Sequence, residues 1–526
     1  MKFDVVVIGG GATGAGVFLE LARRGIRVAL FEKGDFSSGT TSKSSRLIHG
    51  GIRYLEHFHF DLVYESLKER EWIGLHFGHL VNPLDIHIPI YSHSRRHPAI
   101  VAIGVLLYDF MAGKRRIGRS RVYMKAASIP RELEMTRKEL RGLFTFTDYQ
   151  ILLPERLVLA NILEGMNLGG EAFNYARVES LKFEENEVRL EIVRGGEKFE
   201  VRAEVVVNAA GPWADEVRRK GMLGGRLLRP TKGVHLEVER VSEEAFFVES
   251  GRDRRLFFVL PFLGHTLVGT TDTDFDGSPD EVEVLGEDVD YLLQGLRIIF
   301  PDKLARGVRI FGGFAGVRPL LRVPGKPASA VPRRHRIVVE GRGERLVSIV
   351  GGKLTTYRRM AEDCVSKILS IHGSRLKTER AQPYPFEGDG GDTEAYLSHI
   401  EGEFGVTPAV ACALFRAYGR KAHHVLSFAG SDRDLREVVF EETGEIPLQI
   451  VYGFEREMCR SLEDVVLRRM MLGKTPTKGM NELEMLKKIL ISHLGKSPGE
   501  SRDMVKAYAC FVEDNFRVTS LQSSVK

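Results

Sequence analysis

Three observations place this 526-residue chain in the α/β class. A glycine-punctuated strand–helix–strand unit opens it, short strands of alternating character recur from about 225 to 335, and helical periodicity takes over after about 390. The length exceeds one ordinary core, and 43% hydrophobic content is enough to fill two or more. The predicted architecture is a Rossmann-like body over 1–372, interleaved with a mixed-sheet substrate domain drawn mainly from about 75–150 and 225–335. A linker over 373–391 and a C-terminal helical domain over 392–526 follow.

The opening unit carries the strongest signal. Val5-Val6-Val7-Ile8 is a β-branched apolar run typical of a buried parallel strand. It leads into Gly9-x-Gly11-x-x-Gly14, where the first glycine permits a tight turn, the second admits a pyrophosphate to the backbone, and the third lets helix pack on sheet. The helix is expected from Ala12 to Arg24, stopping at Gly25. Glu32 closes the next strand about 20 residues beyond the glycines, where a carboxylate accepts ribose hydroxyls. A dinucleotide site follows, although such an acid does not separate NAD from FAD.

A hydroxyl-rich loop, Ser37 to Ser42, comes next and includes Thr41 and Ser42 as donors. No third strand–helix repeat follows at the spacing of a simple NAD domain, which turns the reading towards a flavin. The loop runs into Arg46-Leu47-Ile48-His49-Gly50-Gly51-Ile52-Arg53-Tyr54-Leu55. Here two glycines allow close backbone approach beside Arg53, which can fork hydrogen bonds onto an anion, and the phenol of Tyr54.

Later segments supply further pieces. Asn208-Ala209-Ala210-Gly211-Pro212-Trp213 puts small residues at a strand end, which serves either a ligand or packing. His235 alternates with Val234 and Leu236 on its strand, and a lone histidine is more often structural. Arg318 sits between an apolar strand and Pro319, where it serves either an anion or an internal salt bridge. Gly351-Gly352-Lys353-Leu354-Thr355-Thr356-Tyr357-Arg358 reads as a turn followed by a helix to about Ile371, capped by Thr355 or Thr356. In the last domain, Thr407-Pro408 starts a helix that stops at Gly419, and another is expected from about Glu455 to Leu472.

Composition narrows the function. A net charge of +5 is spread along the chain without basic blocks, which argues against nucleic acid and leaves an anionic metabolite or acidic lipid open. Cys364, Cys412, Cys459 and Cys510 form no Cys-x-x-Cys pair, so no metal site is expected. No signal peptide and no membrane-spanning run is read, giving an expected cytoplasmic location. Peripheral contact with the inner face of the cell membrane stays open. The apolar stretch Ile100 to Met111, bracketed by Arg95-Arg96 and Lys114-Arg115-Arg116, is either an interfacial or a buried helix.

Taken together these motifs resemble the FAD-dependent glycerol-3-phosphate dehydrogenase family and the related α-glycerophosphate oxidases. Gly269-Thr270-Thr271-Asp272, Gly316 to Leu320, and Ser461 to Arg469 in the helical domain match the family as well. The resemblance implies an α/β fold with a Rossmann-like FAD-binding domain, an interleaved mixed-sheet substrate domain and a C-terminal helical domain. It implies oxidation of glycerol 3-phosphate at C2, with His235 rather than His49 as base, and Arg318 and Lys353 in the catalytic set. Arg53, Tyr54, Arg318 and Arg333 would bind substrate, with Arg334 competing with Arg333 for the phosphate. FAD would be held by Gly9, Gly11, Gly14, Glu32, Thr41, Ser42, His49, Gly50, Gly51, Ala210, Gly211, Gly352, Lys353, Leu354 and Thr355. No cysteine-rich C-terminal extension of the anaerobic-type relatives is present, so electrons would leave through quinone, oxygen or another subunit, with quinone the expected acceptor, and a homodimer is left open. The rival readings are a flavin oxidase of a 2-hydroxy acid or amino acid, and a flavin-bearing electron-transfer subunit.

Overall fold

Residues 1–125, 128–130, 133–323, 334–386 and 390–518 are described by a computed structural model. The first strand, Lys2–Ile8, lies centrally in five parallel strands ordered Leu346–Val350, Glu197–Asn208, Lys2–Ile8, Val28–Phe31, Glu171–Phe173. Val5, Val6 and Val7 are fully buried, because helices cover one face and an antiparallel meander, Ala176–Phe183 and Val188–Arg194, backs the other. Helix Ala12–Ala22 wedges between Pro154–Asn167 and Tyr357–His372, burying Val17, Phe18 and Leu21 against Leu157, Cys364 and Ile368. It ends two residues before the expected Arg24, with Gly25 left-handed beyond it at φ 68°.

The second sheet is mixed. Its strands are mostly antiparallel, but Val81–Tyr91 runs parallel to Ala245–Glu249. The strand Leu228–Glu239, which carries His235, lies between His265–Gly269 and Ile310–Leu321. At the far edge Leu47–Ile48 pairs with Leu140–Ile151, so the Arg46–Leu55 segment leaves the nucleotide-type unit by entering this sheet.

The last quarter is helical around its own core, which includes Ile400, Leu414, Leu448, Val465 and Leu486. Pro408–Tyr418 begins at its Thr407 cap and stops at Gly419, as expected. The single helix expected over 455–472 is instead two, Pro447–Arg456 and Leu462–Arg468. Met458 takes a left-handed φ of 60°, and Ser461 and Asp464 exchange side-chain and backbone hydrogen bonds in a capping box that starts a new helix. Apolar spacing does not report this break because Met458 is also packed, but against the core of the body, whereas Leu462, Val465, Val466 and Met470 belong to the core of the helical domain. Tyr357–His372 also differs from expectation: neither threonine caps it through its side chain. Much of the segment read as a linker lies on the body, where Tyr384 stacks beneath Arg23 at 3.5 Å and Phe386 meets Phe77 at 4.3 Å.

Buried ion pairs join the helical domain to the body. Asp35 receives Arg468 at 2.6 Å and Arg469 at 2.9 Å, Arg156 holds Glu457 at 2.5 Å, and Lys478 meets Glu237 at 2.5 Å. Glu155 lies between Arg46 at 3.0 Å and Lys474 at 2.9 Å. Burial pushes the Glu155 carboxyl up, but the two cations prevail and hold it below its ordinary 4.5, at about 2.

Removing Asp35 leaves Arg468 with Asp464 but strands Arg469, whose remaining carboxylate neighbour, Glu457, is 4.0 Å away. Asp35→Ala is therefore expected to cost about 3–5 kcal/mol in denaturant unfolding, more than any exposed ion pair would. Glu155 stabilises the fold fully above pH 4.5, and that contribution is lost as pH falls through about 2. The stability gap between the wild type and Glu155→Gln should shrink across that window; a gap independent of pH would contradict the assignment.

Candidate active site

A cavity of about 1060 Å³ runs along the carboxyl ends of the parallel strands, lined by Gly9, Gly11, Glu32, Thr41, Ser42, Ala210, Gly211, Gly352, Lys353 and Leu354 among others. Its walls suit a dinucleotide. A Cβ on Gly14 would fall 1.8 Å from the Gly9 carbonyl oxygen, and one on Gly9 2.7 Å from that of Ala209, so packing alone demands glycine at both. A Cβ on Gly11 would meet nothing nearer than Thr41 Oγ1 at 3.4 Å, leaving this backbone open to the cavity. Glu32 accepts the Gly10 N–H at 2.7 Å and the Gly34 N–H at 2.9 Å, one on each oxygen, with lone pairs left for ribose hydroxyls. Thr41 Oγ1 accepts from Ala12 N at the helix start, whereas Ser42 Oγ donates to the Ser37 carbonyl and shapes the loop. The Trp213 indole nitrogen, on a cavity-lining residue, is buried with no partner among the described residues.

The Arg46–Leu55 segment is held from behind. Gly50 N donates to Tyr108 Oη at 2.9 Å, Tyr108 Oη donates to Asp148 at 2.8 Å, and Arg70 pairs with Asp148 at 2.5 Å. A Cβ on Gly50 would lie 2.2 Å from that hydroxyl, so protein packing is what requires glycine there. Gly51 is left-handed at φ 78°, and its Cβ direction meets the Tyr54 ring at 2.4 Å. Lys353 places its Nζ 4.5 Å from the centre of that ring and hydrogen bonds Ser66 Oγ. His49 donates its backbone N–H to Thr355 Oγ1 at 3.2 Å. Burial, and then Lys353, push the His49 imidazole down to about 4, so it is neutral at neutral pH.

A second group gathers around His235. Its ring stacks on Phe314 with centroids 5.0 Å apart, and Nε2 shares a 2.9 Å hydrogen bond with Ser45 Oγ. Nδ1 is buried and has no partner among the described residues. Burial first, then Arg318 and Arg46, push the imidazole down to about 3. Arg318 is held by Thr270 Oγ1 at 2.7 Å and Asp272 at 3.1 Å. The internal salt bridge that the sequence allowed is therefore present. Two glycines make room: a Cβ on Gly269 would fall 2.4 Å from the His235 ring, and one on Gly233 2.3 Å from Arg318.

Arg46, Phe314, Gly316 and Lys353 line the cavity, whereas His235, Arg318, His49, Gly50, Gly51, Tyr54 and Thr355 are not among its lining residues and adjoin it through these neighbours, His235 through Phe314 and Tyr54 through Lys353. Arg53 is half-buried in the short helix Ile52–His57 beside Tyr54. Arg333 lies outside the described residues, and Arg334 is exposed and paired with Asp61. The sequence reading missed Ser45, Phe314, Ser66 and the Tyr108–Asp148–Arg70 set. Ser45 stood in plain view between the hydroxyl loop and Arg46, but only the return of the Leu228–Glu239 strand brings a histidine to it.

An FAD dependent oxidoreductase family model matches residues 4–358, and a model of the C-terminal domain of alpha-glycerophosphate oxidase matches 360–501. A glycerol-3-phosphate dehydrogenase of Synechocystis sp. is 32% identical, spanning 98% of this chain and 97% of the relative. An aerobic glycerol-3-phosphate dehydrogenase of Staphylococcus haemolyticus is 31% identical over 94% of this chain and 91% of the relative. Among solved structures, the glycerol-3-phosphate dehydrogenase from Bacillus halodurans complexed with FAD aligns at a TM-score of 0.74 with 26% identity, covering 98% of this chain and 96% of that one. Matched along nearly its whole length in both sequence and fold, the chain belongs to the FAD-dependent oxidoreductases and, among them, to the glycerol-3-phosphate dehydrogenase family.

Proposed function

We infer that this chain oxidises sn-glycerol 3-phosphate to dihydroxyacetone phosphate, with FAD, when bound, serving as acceptor of the C2 hydride. One observation carries the mechanism: a neutral, buried His235 with an unpartnered ring nitrogen stacks on the cavity-lining Phe314 under the influence of two arginines. In this reading His235 takes the C2 hydroxyl proton, and Ser45 fixes its ring orientation. An imidazole at about 3 is a weak base. Arrival of the substrate's phosphate dianion offsets the Arg318 and Arg46 charges and raises the affinity of His235 for the proton. Arg318, pre-aimed by Thr270 and Asp272, orients the substrate. Arg53 and Arg333 supply charge-assisted donors to the phosphate, and Lys353 and Tyr54 border the substrate oxygens. FAD would be held by the Gly9–Gly14 turn, Glu32, Thr41 and the Gly352–Thr355 segment.

We further propose quinone as electron acceptor and docking on an acidic lipid surface. Helix Pro98–Ala112 exposes Ile100, Ile103, Leu106 and Phe110, the last 82% accessible, and Phe58, Phe60 and Tyr64 are exposed on adjoining segments. Arg95, Arg96, Lys114, Arg115 and Arg116 flank the helix, which is a suitable pattern for lying in a headgroup layer. No helix among the described residues is long and apolar enough to cross a membrane. The opposite face of this helix supports Gly50 through Tyr108, which puts the docking surface directly behind the cofactor segment.

Anaerobic addition of glycerol 3-phosphate should bleach the flavin band, and absence of bleaching would overturn the assigned reaction. His235→Ala should retain FAD yet reduce it about 100- to 10,000-fold more slowly, the usual span of a lost general base. Arg318→Ala should chiefly raise the substrate concentration required. On anionic vesicles, Ile103→Ser combined with Phe110→Ser should abolish co-sedimentation while leaving substrate-driven bleaching intact; equal binding by this variant would rule out the helix as the docking surface.

A further inference from the structure

Away from the cofactor cavity, the helical domain brings three metal-ligating side chains to one point. His399 and Glu403 stand one turn apart on helix Thr393–Phe404, and His423 faces them from helix Ala422–Phe428. Both imidazoles direct Nε2 to the same carboxylate, His399 at 3.1 Å and His423 at 3.0 Å from Glu403 Oε2. One ligand atom from each residue can be chosen so that all three lie within 4.8 Å of one another.

We propose that His399, Glu403 and His423 form a binding site for a late first-row divalent metal ion, zinc foremost, that staples these two helices together. The ligand chemistry selects the ion: two imidazole nitrogens and one carboxylate suit zinc, nickel or copper, whereas calcium and magnesium call for oxygen ligands. The spacing is compatible as well. Two bonds of about 2.0–2.1 Å at a tetrahedral angle put their ligand atoms about 3.3 Å apart, close to the nitrogen–oxygen separations already present.

The frame around the site is set independently of any ion. Tyr396 Oη accepts the His423 backbone N–H at 3.1 Å and donates to the Arg420 carbonyl at 2.9 Å, tying the two helices in register. The edge of Phe404 packs on the His423 ring at 5.0 Å, and Asp392 caps the first helix at 3.1 Å. The three side chains are partly exposed, 63%, 41% and 42% for His399, Glu403 and His423, so an ion can enter and water can fill its remaining positions. Such a site acts on stability rather than on the redox reaction, because an ion that binds only the folded chain favours folding by mass action. Ligands drawn from positions 20 residues apart and from two helices leave no compact sequence motif, and cysteine spacing is blind to them.

The test uses the full-length, FAD-loaded protein stripped of metal with a chelator and titrated with Zn²⁺ by calorimetry and thermal unfolding. One ion per chain and a raised melting temperature are expected, with no response to Mg²⁺. His399→Ala combined with His423→Ala should lose both responses while keeping the FAD content and flavin bleaching of the wild type. Glu403→Gln, which keeps size and both imidazoles, should weaken binding at least about tenfold. Absence of stoichiometric zinc binding in the wild type, or equal binding by the double variant, would overturn the proposal.

Discussion

The ionic seam between the α/β body and the helical domain is the constraint on which the active site rests. Three buried carboxylates of the body tie it to the helical domain beside segments that build the cavity: Asp35 follows Glu32, Glu237 lies on the strand of His235, and Glu155 also holds Arg46, which opens the His49–Tyr54 segment. Their partners, Arg468, Arg469, Lys474 and Lys478, come from one short stretch of the helical domain. In a medium of low polarizability these charges are tolerable only in pairs, so the body segments cannot shift separately without leaving a charge unpaired. The helical domain thereby acts as a clamp on the catalytic body, although it supplies none of the residues assigned to the chemistry.

Within that clamp, glycines decide where the reactive groups can lie. Gly269 and Gly233 create the space that His235 and Arg318 occupy, and Gly50 creates the space for Tyr108. The substrate-side cations are arranged differently from the seam. Arg318 is held by the Thr270 hydroxyl, the Thr271 carbonyl and the Asp272 carboxylate, which together aim its guanidinium. Burial first, and then the Arg318 and Arg46 charges, keep His235 neutral, so the base and the anion site are electrostatically coupled.

Helix Pro98–Ala112 shows how one element can serve two environments. Val105 and Tyr108 are buried, with Tyr108 reaching Gly50, while Ile103 and Phe110 face outward. Sequence periodicity left this helix undecided between core and interface, because its apolar residues run around most of its circumference and only their neighbours in space determine which side is covered.

The sequence by itself determined the nucleotide-type unit, the mixed second sheet, the helical end and the glycine-rich part of the cavity lining. Gly9-x-Gly11-x-x-Gly14, Glu32 and the capping of Pro408–Tyr418 depend on neighbours close along the chain, and local geometry is written locally. What only the tertiary structure decided were pairings over long separations: Ser45 with His235, Tyr108 with Gly50, Arg469 with Asp35, and His423 with Glu403. It also broke the expected 455–472 helix at Met458, where the chain turns to carry Glu457, Arg468 and Arg469 to the seam. Such contacts follow from the register of distant strands and the meeting of domains, and a side chain's spacing along the sequence carries no record of which distant group will neutralise it.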